Sequence, residues 1–139
     1  MAEGILKALE QGFVLSDGGN VEEIRLRGYR TPGVLVEFPD AVRLVHQDFF
    51  RAGAGVLRAL TGLCTRTGLE EQGEVGWGDR VEALNRTAVE MAKKAAGDEA
   101  LVAGTVGPTG AFQASDGGAA DRARAEWEEQ VEVLADAGV

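Results

Sequence analysis

An α/β fold built on a parallel sheet is predicted by three features of the 139-residue chain. Short apolar segments alternate with longer amphipathic ones in the order β-α-β-α-β-α. The repeat is about 45 residues, long enough for a crossover helix and too long for a hairpin. Each apolar segment also runs toward a glycine-containing turn, and in parallel α/β folds ligands gather at the carboxyl ends of the strands.

Gly12 to Gly19 begins as a short apolar run and stops at Asp17-Gly18-Gly19, which predicts a buried strand followed by a loop. A helical turn from about Val21 to Arg27 is closed by Gly28. Pro39 opens a helix whose Val42, Val45, Phe49 and Ala52 form one core-facing stripe, ended by Gly53. Gly55 to Thr61 is the second strand, with Arg58 its one discordant residue. A polar, glycine-rich connection then runs through Trp77. Asp79-Arg80-Val81-Glu82 has the pattern of a capping box. The helix behind it aligns Val81, Leu84, Ala88, Met91 and Ala95, places Lys93 and Lys94 in its last turn, and stops at Gly97. Leu101 to Val106 is the third strand. A last helix from about Gly118 to Ala137 is expected to bury Ala123, Trp127, Val131 and Leu134 and to solvate Glu126, Glu128, Glu129 and Glu132.

The length predicts one domain. Lys and Arg total 14 against 23 Asp and Glu, a net charge of −9. Nucleic-acid binding and attachment to anionic membranes both need the opposite balance. No apolar run approaches the ~18–20 residues of a membrane span, and Met1 to Gly12 lacks a signal-peptide core, so a cytoplasmic location is expected. Cys64 is the single cysteine and His46 the single histidine. Neither a disulfide nor a cysteine-rich metal site can be assembled from them.

Asp17 ends an apolar strand beside two glycines. It reads either as a carboxylate aimed into a pocket, able to hold a substrate ammonium, or as a turn aspartate bonding local backbone. Gly107-Pro108-Thr109-Gly110 could cradle an anion with backbone N–H groups, although no Gly-Lys-Ser/Thr follows to make a P-loop. On that basis a small α/β domain binding a phosphorylated or acidic ligand is one alternative. His46 reads as a packing residue or one that hydrogen-bonds at the surface, and Cys64 as a buried, inert thiol. Trp77 reads as a loop anchor.

Taken in series, several segments resemble the homocysteine S-methyltransferase family. They are Val14 to Gly19 with Arg27-Gly28-Tyr29, then Pro39 to Ala54, Asp79 to Arg86, Ala100 to Gly104, and Val106 to Gly110. The Asp-Gly-Gly with its following Gly-Tyr is more similar to the betaine–homocysteine branch than to the S-methylmethionine branch. The resemblance implies a TIM (β/α)8 barrel, of which residues 1–139 would be the N-terminal portion. That portion holds about the first three βα units, a partial barrel with no second domain. It also implies methyl transfer from a sulfonium or ammonium donor to homocysteine, giving methionine.

Carried over residue by residue, Asp17, Gly18, Gly19 and Thr61 become substrate-binding positions. The loop Gly107, Pro108, Thr109 and Gly110 becomes part of the pocket. In the family a zinc ion held by three cysteines activates the homocysteine sulfur. Those positions, and a glutamate after the fourth strand, fall beyond Val139. No metal ligand and no catalytic residue is therefore assigned in this chain, and the chain alone is expected to be inactive. Gly62 and Leu63 stand where relatives carry aromatic residues, which removes the cage that would hold a quaternary ammonium. Asn20-Val21-Glu22 likewise departs from the family pattern after Asp-Gly-Gly. An alternative of a different class is a non-catalytic half-barrel that pairs with itself or with a complementary chain, because an open strand edge invites pairing.

Overall fold

The computed structural model describes residues 4–107 and 117–139 of the chain. It contains helices α1 (Ile5–Glu10), α2 (Asn20–Leu26), α3 (Val34–Glu37), α4 (Pro39–Arg51), α5 (Arg66–Glu71), α6 (Val81–Ala96) and α7 (Ala119–Asp136). Two strands, β1 (Val56–Arg58) and β2 (Leu101–Ala103), pair in parallel with Val56 opposite Leu101, Leu57 opposite Val102 and Arg58 opposite Ala103. The first apolar segment joins the other side of β1 through one parallel bridge, Ser16 to Val56. Backbone hydrogen bonds from Asp17 N to Val56 O and from Gly55 N to Leu15 O hold it there. The α/β prediction with a small parallel sheet is met.

α4 and α6 pack against each other and both contact β1. Val42 and Val45 of α4 meet Leu84, Ala88 and Val89 of α6 in the main apolar core, with Ile24, Leu60 and Leu69. A second, smaller cluster places Leu57 against Ala54, Ala95, Ala96 and Ala100. Small residues at those positions let the end of α6 lie close to the sheet. Pro39 starts α4 and Gly97 (φ +54°) stops α6 where the sequence places those boundaries.

Several expectations are corrected. The first segment is not a buried strand: Phe13 is 87% exposed and Leu15 is exposed, because they lie on the sheet's edge without a neighbour among the described residues. Regular pairing of the second and third segments is shorter than Gly55 to Thr61 and Leu101 to Val106. Ala52 is exposed, as it falls past the last turn of α4. The Asp79–Glu82 capping box does not form; Trp77–Arg80 is a 3-10 turn and Arg80 precedes α6 with no side-chain cap. The connection before Trp77 contains α5, started by Thr65, whose hydroxyl accepts from Gly68 N at 3.1 Å.

On α7, Ala123 and Leu134 are buried as expected, but Trp127 and Val131 are exposed and Gln130 is fully buried. Gln130 rotates the inward face because its amide donates to Thr61 O at 2.6 Å and to Asn85 Oδ1 at 3.0 Å. The acidic face is only partly solvated. Glu129 forms a bidentate pair with Arg66 at 2.9 and 2.7 Å, and Glu126 accepts from the Thr67 hydroxyl. Both join α7 to α5. Pro108, Thr109 and Gly110 lie outside the described residues.

Candidate functional site

The loops after the three parallel segments converge on a cleft of about 490 Å³. Gly18, Gly19, Asn20, Glu22 and Arg25 line it from the first loop and α2; Arg58, Ala59, Leu60, Gly62 and Leu63 line it from β1 onward. Thr105 and Gly107 complete the wall after β2, with Thr31, Pro32 and Gln72 at its sides. The placement follows from topology: parallel strands deliver all their carboxyl ends to one edge.

Asp17 sits beneath this cleft, with no side-chain exposure. Its Oδ1 accepts from Arg58 Nε at 2.9 Å. Its Oδ2 accepts from Asn20 Nδ2 at 3.0 Å and from the Arg58 backbone N–H at 2.9 Å. His46, from α4, places Nδ1 3.8 Å from the same oxygen, and neither imidazole nitrogen has a hydrogen-bond partner among the described residues. Burial by itself raises the Asp17 pKa. The neighbouring His46, the Arg58 guanidinium and amide, and the Asn20 amide outweigh it and bring the carboxyl down to about 2.

Arg58 thus answers the discordant charge in the second strand: its guanidinium also donates from Nη2 to Asp17 O at 3.1 Å and to Gly18 O at 2.6 Å. An arginine at the end of an otherwise apolar strand signals that an acidic partner lies close, and Asp17 at the end of the neighbouring segment was available for it. Asn20, three residues beyond Asp17, and Thr105, which closes the wall behind Thr61, are the other site residues that periodicity does not reveal.

Gly18 and Gly19 both face the cleft. A Cβ on Gly18 would stand 3.2 Å from the Phe49 ring, so the turn packs directly on α4. Thr61 is fully buried, and its hydroxyl donates to Thr105 O at 2.7 Å while accepting from Thr105 N at 2.8 Å. It clamps the second and third loops together behind the lining. Gly107 lies so close to this clamp that a Cβ there would meet Gly62 O at 2.1 Å. Asn20 Oδ1 and Thr31 Oγ1 are buried without a hydrogen-bond partner among the described residues, an arrangement that costs about 1–3 kcal/mol for each such group unless something bonds to it.

Cys64 is fully buried, and burial pushes its thiol up to about 12, which makes it inert as the sequence predicts. Among the described residues no group of three or more His, Cys, Asp or Glu could hold a metal ion. The donor set therefore does not fit the zinc that the resemblance implies. No described helix is long and apolar enough to cross a membrane.

The family model for homocysteine S-methyltransferase matches residues 14–139. The chain belongs to the homocysteine S-methyltransferase family. It is similar to betaine–homocysteine S-methyltransferase 1 from Xenopus tropicalis, with 36% identity over 118 residues, covering 79% of this chain and 29% of that one. An S-methylmethionine–homocysteine S-methyltransferase from Pongo abelii is 35% identical over 117 residues, covering 79% of this chain and 30% of that protein. Homocysteine S-methyltransferases of both donor types thus match at nearly equal identity. Among solved structures, the metallated form of the homocysteine methyltransferase MmuM from Escherichia coli superposes with a TM-score of 0.75 at 31% identity. That alignment covers 96% of this chain and 54% of the other. The chain therefore spans about 29% of the length of such curated relatives and about half of the solved one.

Proposed function

We propose that residues 1–139 are the N-terminal three βα units of a homocysteine S-methyltransferase barrel and supply part of its substrate pocket. The reaction served is methyl transfer from a sulfonium or ammonium donor to homocysteine, giving methionine. The observation that carries this reading is the cleft at the carboxyl ends of three parallel segments, with Gly18 and Gly19 in its lining, in a chain of this family.

In this reading the two glycines let the turn pack tightly, Gly18 against the Phe49 ring and Gly19 against the Glu22 side chain, while both line the cleft. Thr61 holds the second and third loops in register, so that the wall from Gly62 to Thr105 does not yield as the ligand enters. Asp17 acts from below by fixing Arg58 and Asn20. Gly107 lines the cleft at the start of the third loop. The described residues do not fit a zinc site. The chain's work is binding and orientation. Among the described residues, Gly62 and Leu63 bring no aromatic ring to the cleft, which disfavours a quaternary ammonium donor.

Homocysteine titrated into the chain is expected to bind weakly, at about millimolar affinity, since only part of a ligand's surface would be buried. Gly19→Leu, whose Cβ would press on the Glu22 carboxylate at the cleft wall, is expected to abolish that binding; undiminished binding would reject the site. The isolated chain is further expected to form no methionine from homocysteine and either donor, and to carry no stoichiometric zinc. Elemental analysis showing one tightly held zinc per chain would overturn this division of labour.

A second reading is favoured by the exposed first segment. Phe13, Leu15 and the α1 residues Leu6 and Leu9 present apolar surface beside a strand that pairs on one side only among the described residues. A non-catalytic half-barrel that pairs with itself or with a complementary chain would cover them. Sedimentation of the chain at several concentrations decides it: a monomer throughout excludes self-pairing.

A further inference from the structure

The cleft presents a guanidinium, and the carboxylate beneath it is already bonded. Both oxygens of Asp17 are occupied, Oδ1 by Arg58 Nε and Oδ2 by Asn20 Nδ2 and the Arg58 amide. A ligand ammonium would have to displace those bonds and enter a position with no solvent exposure. Arg58 lies above it with its side chain 45% exposed, facing the cleft.

From this we infer that Arg58 is the receptor for the carboxylate of a small zwitterionic ligand. The ligand then enters with its acid group toward β1. The inference rests on the homocysteine-pocket reading and adds to it the ligand's orientation and the residue that sets it.

Two observations carry it. First, Arg58 is held in place: Nε and Nη2 are bonded to Asp17 Oδ1, Asp17 O and Gly18 O, while Nη1 makes no hydrogen bond among the described residues. A guanidinium fixed on one side offers its remaining N–H groups to a carboxylate with little ordering left to do. Second, another guanidinium, Arg25, lines the same cleft and is engaged among the described residues by a long 3.4 Å bond to Gln72. The acidic lining residue, Glu22, is exposed. Water competes there for an ammonium, so Glu22 alone gives the amine end little preference.

The test uses the unmodified chain and three thiols titrated calorimetrically at fixed low salt. They are homocysteine, 4-sulfanylbutanoate (acid without amine) and 3-aminopropane-1-thiol (amine without acid). The acid is expected to bind within about threefold of homocysteine and the amine at least about tenfold more weakly, the difference one charge-assisted bond makes. Arg58→Gln is expected to weaken the acid about tenfold and leave the amine unchanged, with Arg58→Lys intermediate. If the amine binds as well as homocysteine, or if Arg58→Gln strengthens the amine, Asp17 is the receptor and the inference is overturned. If no carboxylate binds, it is overturned as well. Should 4-sulfanylbutanoate bind through Arg58 while homocysteine does not, the carboxylate site stands and the homocysteine pocket falls. Should homocysteine bind independently of Arg58, the reverse holds. The ligand series on the unmodified chain decides the orientation even if the Arg58 variants do not fold.

Discussion

Four donors reach the Asp17 carboxylate within 3.3 Å: Ser16 Oγ, Asn20 Nδ2, and the backbone and side chain of Arg58. With the carboxyl lowered from its ordinary 3.8 to about 2, the unfolded chain binds the proton more readily across that interval. The stabilisation is then fully present above pH 4 and is lost as pH falls toward 2, a contribution of about 2 kcal/mol. Chemical denaturation at pH 7 and pH 2 should show it: Asp17→Asn is expected to be less stable than the parent at neutral pH, with the gap closing at the acid end. A gap of constant size would mean that the charge contributes nothing. Of this site, the sequence alone discloses Asp17 and the glycines, because an acid between an apolar run and a Gly-Gly turn is a strong local pattern. It does not disclose that the acid is already taken. That depends on Arg58, 41 residues away and adjacent only once the strands pair.

Among the elements, α4 and α6 are the most legible, since each carries its buried residues on one regular stripe. α3 is too short to show a period, having four residues, and α5 is obscured by a glycine inside it, Gly68, that lowers its helix propensity. The face of α7 is misread because one polar residue, Gln130, is inside. Its apolar neighbours Trp127 and Val131 turn outward, and the indole N–H of Trp127 donates to Gly107 O at 3.1 Å. Two glycines of the third strand–loop segment separate a yielding contact from an unyielding one. A Cβ on Gly104 meets the tip of Leu134 at 2.8 Å, a flexible side chain that can change rotamer. On Gly107 it meets backbone at 2.1 Å. Gly104→Ala is therefore expected to cost less than about 1 kcal/mol, and Gly107→Ala about 2–3 kcal/mol. Urea midpoints compare the two directly, and equal costs would place the tight approach elsewhere.

At the scale of the whole molecule, a net charge of −9 opposes the meeting of two copies, while the exposed residues around Phe13 favour it. Salt decides between them, since the screening length falls from about 30 Å at 0.01 M to about 10 Å at 0.1 M. If the chain pairs through its first segment, its dimer fraction is expected to rise with ionic strength and to fall in Phe13→Ser. A fraction unaffected by salt would locate the contact away from the charge. Composition conveys that balance; the position of the open edge comes only from the order in which strands pair. One further consequence lies in the link from Gln130 to Thr61 O and Asn85 Oδ1. Gln130 emerges from the ribosome 69 residues after Thr61. At about 5–20 residues per second, the wall of the cleft spends several seconds of synthesis without the amide that fixes it. The pocket is thus finished from its far end, and a nascent chain halted before α7 would display the cleft's residues without the brace that holds their wall in place.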